Sequence, residues 1–367
     1  MKFSECVEIV GSKPSRYQGI KQYVSTGALD SDHIDENSIE EYAYDDRPSR
    51  ADLVAEAGNV IFAKMAETKK TLVINNQNEK YLFSTGFFAV KPKKNVLTTE
   101  CLYYLLNSNT FLSQKDKYSS GATQKAISNA SLEKIIVNIP CFSKQEDIVK
   151  QLDKLSNIIK KTRKQLLNFD LLIKSRFIEM FGDPVQNPMG WEVKKLGDIC
   201  TKISDGVHAK PEYTATGKPF ISVVNINSGK LLFDDCKYVS EEAYEKMIKT
   251  TNPEKGDILY TKVGATYGIP ALVDTDRAFC LYVSVALLKP KSEIVNSQFL
   301  TTSMAQPYIK NQADKRIKGI GVPDLHLNQI REFEVLVPPL ELQNHFNSFV
   351  QQIDKSKFEY TYTGVAA

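Results

Sequence analysis

At 367 residues, 42% hydrophobic and 25% charged, the chain has room for two ordinary domains and the composition of a soluble globular protein. It contains no apolar run of membrane-spanning length, and its start, MKFSECVEIVGSKPS, has no apolar core of signal-peptide length. The net charge of +3 neither demands nor excludes nucleic acid, so any basic surface must be local.

The six cysteines (Cys6, Cys101, Cys141, Cys200, Cys236, Cys280) stand singly, with no C-x-x-C pair. That fits reduced thiols in a cytoplasm better than a disulfide framework or a zinc site.

Taken in chain order, the first unit opens on a basic, aromatic and polar segment, GSKPSRYQGIKQY, followed by an acidic one, DSDHIDENSIEEYAYDD (Asp30 to Asp46). Acidic side chains repel phosphates, which predicts that the second segment lies away from any bound duplex. Gly58-Asn59 reads as a turn launching a strand, VIFAKM, and GFFAVKP as another strand. TECLYYLLNSNTFLSQ has helical spacing, and IIVNIP closes the unit at Pro140.

A long helix follows, with Ser143 and Glu146 in the pattern of a capping box. Its apolar residues step by four and three: Ile148, Leu152, Leu155, Ile159, then Leu166, Phe169 and Ile173. This is a heptad seam, and it calls for a helical partner. Some 36 residues at 1.5 Å each make a rod of roughly 54 Å. FGDP, at Phe181 to Pro184, should stop it.

The remainder repeats the first part. A shift of 198 positions puts Gly58 on Gly256, Lys64 on Lys262, Lys91-Pro92 on Lys289-Pro290, Gly121 on Gly319 and Pro140 on Pro338. Gln145 then falls on Gln343. A small gap is expected where TECLYYLLNS meets VNSQFLTTS. Matches in this order at near-constant offset indicate a duplicated unit. The second helix carries Phe346, Val350 and Ile353, meets Lys357, and is expected to dissolve in FEYTYTGVAA. The boundaries are therefore 1–142 for the first domain, 143–183 for the long helix, 184–338 for the second domain and 339–367 for a shorter distal helix and tail. Each unit mixes short strands with helices, a mixed α+β composition.

Several stretches together resemble the specificity subunits of type I restriction–modification systems. They are RFIEMFGDPVQNPMGWEVKKLGDI, ISDGVHAKPEYTATGKPFISVVNI, PEKGDILYTKVGATYG and SSGATQKAISNASLEKIIVNIP, and the resemblance covers nearly the whole length. It implies two tandem target-recognition domains of similar α/β fold, joined by long helices that pair as an antiparallel coiled coil. It implies further that each domain reads one half of a bipartite DNA target, with the helices as spacer. Two methyltransferase subunits and the restriction/translocase subunits would be partners, and S-adenosylmethionine, ATP and Mg would serve those partners.

Phosphates call for cations, and base edges for polar side chains. The second unit offers His208, Lys210, Tyr213 and Lys218 in its D-G-x-H-x-x-P loop, Lys262 beside glycines, and Lys315, Arg316 and Lys318 in DKRIKGIGV. The first offers Lys13, Arg16, Tyr17 and Gln18, then Lys64, and Lys117, Ser119, Gln124 and Lys125. It lacks the D-G-x-H-x-x-P and V-G-A-T of the second, so the two domains should read different sequences. A plain solvated surface is the alternative for each of these loops.

No H-E-x-x-H, P-loop, G-x-S-x-G or adenine-methyltransferase motif is present, and the four histidines stand apart, so the chain reads as non-catalytic, with no metal or cofactor of its own. Two other readings stay open at the level of sequence: the recognition part of a fused methyltransferase–nuclease, and a protein-binding scaffold.

Overall fold

The computed structural model describes residues 1–317 and 321–366. It forms two compact units, Met1–Ile158 and Ile159–Ala367. In the first, the main strands are β1 (Val7–Val10), β2 (Ile20–Val24), β3 (Glu40–Ala43), β4 (Val60–Ala63), β5 (Thr71–Val73), β6 (Leu82–Phe83) and β7 (Phe87–Pro92). Helices α1 (Thr99–Leu106) and α2 (Asn109–Tyr118) follow, and α3 (Phe142–Phe181) leads on into the second unit.

Strands β1, β7, β4 and β5 form, in that order, an antiparallel sheet. A smaller sheet has the order β3-β2-β6, with β2 antiparallel to β3 and parallel to β6. Side chains alternate across a strand. Val60, Phe62, Phe88 and Val90 pack with Leu102, Phe111 and Val149 from the helices. Ile61, Ala63, Phe87 and Ala89 face the other way, onto Val24, Leu29 and Phe83. Covered on both faces, β4 and most of β7 read as unbroken apolar runs.

The second unit contains β8 (Glu192–Lys195), β9 (Cys200–Asp205), β10 (Lys218–Ile221), β11 (Lys237–Val239), α4 (Glu241–Ile248), β12 (Ile258–Thr261), β13 (Pro270–Leu272), β14 (Cys280–Leu281) and β15 (Val285–Pro290). Helices α5 (Ser297–Met304) and α6 (Pro307–Arg316), strand β16 (Glu334–Val337) and helix α7 (Leu340–Ala366) follow, with shorter helical turns at Leu196–Ile199, Val223–Asn225 and Leu327–Arg331. Its sheets, β9-β15-β12-β13 and β11-β10-β14, reproduce the two of the first unit, and β8 pairs with β16.

The repeat extends to individual hydrogen bonds. Buried Gln145 accepts from the Thr98 N–H at 2.9 Å and donates to the Val96 and Pro140 carbonyls. Buried Gln343 accepts from Asn296 at 2.8 Å and donates to Ile294 and Pro338. Gln114 exchanges two bonds with the Ile136 backbone, as Gln312 does with Glu334. The gap expected between TECLYYLLNS and VNSQFLTTS is absent. Helices α1 and α5, and α2 and α6, hold the same 198-residue offset, because the caps Thr98 and Asn296 coincide although the residues after them differ.

Within the second unit the end of α3 packs against α7. Phe346 lies 5.6 Å from both Phe177 and Phe181 between ring centroids, the Arg176 guanidinium stands 5.8 Å over Phe349, and Phe169 meets Tyr360 at 6.5 Å. Residue numbers fall along α3 as they rise along α7, so the pairing is antiparallel.

Helix α7 does not dissolve at Lys357. It runs on to Ala366, because the Lys357 ammonium is neutralised by Asp170 at 2.8 Å and Asp354 at 3.3 Å. At 27 residues it is still shorter than the 40 of α3. Of the seam residues, Val350 is buried and Leu166, Ile173, Ile353 and Leu152 are partly buried, whereas Ile148, Leu155 and Ile159 are exposed. The seam thus packs only in part within this chain. Helix α3 also starts at Phe142, which puts Ser143 in the first turn rather than at the cap, while Glu146 pairs with Lys150 instead. Gly182, at φ +80°, ends the helix, as FGDP suggests.

All six cysteines are free, and only Cys141 is exposed. Burial pushes the Cys200 and Cys280 thiols up to about 12. A thiol reagent at neutral pH should therefore label one cysteine rapidly, identified as Cys141 by peptide mapping. Gln145→Ala and Gln343→Ala should each destabilise their own unit by about 2–3 kcal/mol in urea unfolding, because buried backbone groups lose their partners.

Candidate nucleic-acid interface

The D-G-x-H-x-x-P loop of the second unit stands on two glycine feet. A Cβ on Gly206 would meet the Leu281 carbonyl oxygen at 2.0 Å, and one on Gly217 would meet that of Val239 at 2.2 Å. Val207 adds a backbone bond to Leu281, and Thr214 one to Tyr238. The segment between the feet projects outward, with His208 78% exposed and Lys210 exposed. Tyr213 packs on Phe220 and carries two ammonium groups near its ring, Lys237 at 4.4 Å and Lys210 at 5.8 Å. Lys218 lies 5.0 Å over Tyr244 and pairs with Glu241 at 3.3 Å.

Lys237 escapes sequence reasoning because it follows Asp234 and Asp235. Only the pairing of β11 with β10 brings it to this loop.

Lys262 is not the open phosphate contact expected. Its side chain is 6% exposed and sits between Asp205 at 3.4 Å and Asp324 at 3.5 Å, so its charge is already neutralised. Arg316 is likewise committed, donating to the Gln312 and Glu332 carbonyls. Lys315 is exposed, and Lys318 lies outside the described residues.

In the first unit, Lys13, Arg16 and Gln18 are exposed, and Tyr17 donates to the Tyr42 carbonyl at 3.1 Å. Tyr17 also meets Tyr44 edge to face at 5.3 Å, with Arg16 and Arg47 over the Tyr44 ring and Lys21 over Tyr17. The ion pairs of Lys13 with Asp52 and of Arg16 with Asp45 involve exposed cations and are worth little in water.

The acidic segment does not lie apart from this patch. Strand β3 pairs with β2, so Glu40 to Ala43 run beside Ile20 to Tyr23, and Asp45 reaches Arg16. A long-range strand pairing, invisible to local charge patterning, decides this. Tyr42 and Tyr44 of that segment thereby build the patch.

Lys64 donates to the Thr85 carbonyl at 2.8 Å and lies 4.5 Å over Phe88, and burial lowers its pKa. Lys117 is exposed beside Tyr118, Ser119 bonds the Lys115 carbonyl, Gln124 reaches the Met65 sulfur, and Lys125 is exposed.

The segment after β4 is held from α2 by a buried lysine of the QKDKYSSGATQK stretch. Lys115 is buried and donates to the Met65 and Thr68 carbonyls at 2.6 and 2.7 Å, with Ala63 at 3.5 Å, and burial lowers its pKa. Apolar periodicity hides such a lysine, since its place on α2 faces the core. The second unit has buried Ala313 there and holds its own loop by Lys310 and Asp314 on Tyr267. Lys115→Met keeps the volume but leaves the carbonyls without a donor. It should destabilise the first unit by about 2–4 kcal/mol in urea unfolding, against under about 0.5 for the exposed Lys69→Met.

The units thus share a scaffold and differ at the loops that carry exposed cations and polar groups. Among the described residues no cluster of His, Cys, Asp and Glu could hold a metal ion, and no helix is long and apolar enough to cross a membrane.

Relatives of known kind are similar to this sequence. The type I restriction enzyme MjaIX specificity subunit of Methanocaldococcus jannaschii is 24% identical over 286 residues, covering 73% of this chain and 65% of that protein. The EcoKI specificity subunit of Escherichia coli K12 is 20% identical over 314 residues, covering 80% and 67%. The chain thus spans about two thirds of the length of these relatives.

Two solved structures share the fold over the whole chain. The S subunit of a type I restriction–modification system from M. genitalium has a TM-score of 0.57 at 13% identity, with 91% of it covered. A chain from a structure of type I R-M complex assembly and conformational transition has a TM-score of 0.55 at 19% identity, with 93% covered. The type I restriction modification DNA specificity domain matches twice, at residues 15–168 and 188–363, and the chain belongs to that family.

Proposed function

We propose that this chain is the DNA-reading subunit of a type I restriction–modification complex. Each unit reads one half of a bipartite target, and α3 with α7 spaces the two readers. The observation that carries this reading is the pairing of a duplicated scaffold with unlike loops: Gln114, Gln145 and their hydrogen bonds recur as Gln312 and Gln343, while the exposed loops differ. Duplication gives two readers, and different loops give two unlike half-sites. A helix of 40 residues, roughly 60 Å long, exceeds one turn of B-DNA.

Phosphate attraction falls to the exposed Lys13, Arg16, Lys117, Lys125, Lys210, Lys237 and Lys315. Base edges are left to polar groups such as Gln18 and His208. The chain itself is non-catalytic. Two methyltransferase subunits would use S-adenosylmethionine, and restriction/translocase subunits would use ATP and Mg. The whole would work in the cytoplasm, where the scattered thiols stay reduced.

Co-expression with the methyltransferase subunit of its own system, in a host without other modification, followed by long-read mapping of methylated adenines, tests this. The expected outcome is a split motif with a fixed spacer that vanishes without this chain. Neither methylation nor a stable complex would sink the proposal. In the complex, each of Lys13→Ala, Lys210→Ala and Lys237→Ala should lower the slope of log affinity against log salt by up to about 0.9.

A further inference from the structure

The equivalent lysines Lys64 and Lys262 sit in the same backbone frame. Lys64 N–H donates to Gly86 and its carbonyl accepts from Ile127, and Lys262 makes the same bonds with Ser284 and Leu325. Their side chains differ in company. Lys262 lies between the Asp205 and Asp324 carboxylates.

The strand registers place Gly11 at the Asp205 position and Ala126 at the Asp324 position of the first unit. Neither can neutralise an ammonium, and Lys64 turns to the Thr85 carbonyl.

Asp205 is the last residue before the first glycine foot of the outward loop. Its carbonyl also accepts from the buried Thr251 hydroxyl at 2.6 Å. Asp324 belongs to the closing segment, which bridges to Val263 and whose Pro323 carbonyl accepts from Gly264. One buried cation therefore ties the foot of the loop, the end of β12 and the closing segment together.

A lysine flanked by two carboxylates has a local net charge of the wrong sign for phosphate. Removing one partner of such a cluster leaves an uncompensated charge, so its members hold each other in place. We propose that Lys262 is a positioning residue that fixes the reading loop 207–216 of the second unit through Asp205 and Asp324, without touching DNA. This rests on the DNA-reading function proposed above.

The test uses the full chain, alone and in complex with its methyltransferase subunits. In Lys262→Met, amide hydrogen exchange across 206–217 should quicken at least tenfold. The half-site read by the second unit should lose discrimination in the methylation map, while the other half-site and the spacer stay. The slope of log affinity against log salt should not change. Lys262→Arg should restore part of both effects, and Lys64→Met should leave the 206–217 exchange untouched.

Asp324→Asn, at a half-exposed site, should give the same pattern in weaker form and decides the matter where Lys262→Met does not fold. A slope reduced by about 0.9 with unchanged loop exchange would make Lys262 a phosphate contact and overturn the proposal. Unchanged exchange and unchanged specificity would overturn it as well. If the unsubstituted chain directs no split motif, the DNA-reading function fails, yet the exchange measurement still decides the pinning role.

Discussion

A buried amide fixes where each long helix leaves its domain. Gln145 and Gln343 lie in the first turns of α3 and α7, shielded from water, and each spends its side chain on three backbone groups. One is the N–H of the residue capping α1 or α5, one is a carbonyl two residues earlier, and one is the proline carbonyl that ends the preceding segment. A glutamine offers one acceptor and two donors to do this, and a hydrophobic residue of similar volume would leave all three groups unpaired. The direction of the helix is thus tied to the helices that cover the sheet. Val149 in the core of the first unit, and Phe346 and Val350 in that of the second, add packing one and two turns later.

With the scaffold held by backbone bonds and doubly covered strands, the loops can differ freely. The clearest case is the segment after β4 and β12. In one unit a buried lysine on α2 cages three carbonyls. In the other the corresponding place is alanine, and an exposed Lys310–Asp314–Tyr267 group does the holding from the same helix face. The two units thus hold this segment with different cations from the corresponding helix, and share the equivalent Asp116 and Asp314, which accept from the Glu67 N–H and the Tyr267 hydroxyl.

The duplicated architecture was legible because strands buried on both faces cannot hide. The strands ILYT and VIFA are buried at every position and follow positive-φ glycines, Gly256 and Gly58, so both copies survive comparison by eye. The heptad steps of α3 were legible from their period alone, since Ile148, Leu155 and Ile159 are exposed in this chain. The failures share a cause too. Burial of Lys262 depends on Asp205 and Asp324, each more than fifty residues away. The closeness of the acidic segment to Arg16 and Tyr17 depends on β2 pairing with β3. Burial of Lys115 depends on carbonyls contributed by a loop from another part of the unit. A charged residue in a sequence is read as exposed by default, and only long-range pairing shows which charges are already spent.

This distinction changes what a cation count means for DNA binding. Of the seventeen polar side chains marked by sequence as contacts, Lys262 and Arg316 are bound internally to carboxylates and carbonyls, and Lys64 is partly withdrawn onto the Thr85 carbonyl above the Phe88 ring. The exposed lysines around Tyr213 and Arg16 beside Tyr44 keep their charge at the surface and gain orientation from the rings beneath them, whereas Arg47 is bound to Asp52 and to the Tyr44 and Ala51 carbonyls. Internal cations hold the loops, and on the proposed function the surface cations are the ones left to attract phosphate. On the proposed DNA-reading function, a salt titration would report the exposed cations, whereas sequence discrimination would depend also on the internal ones that hold the loops.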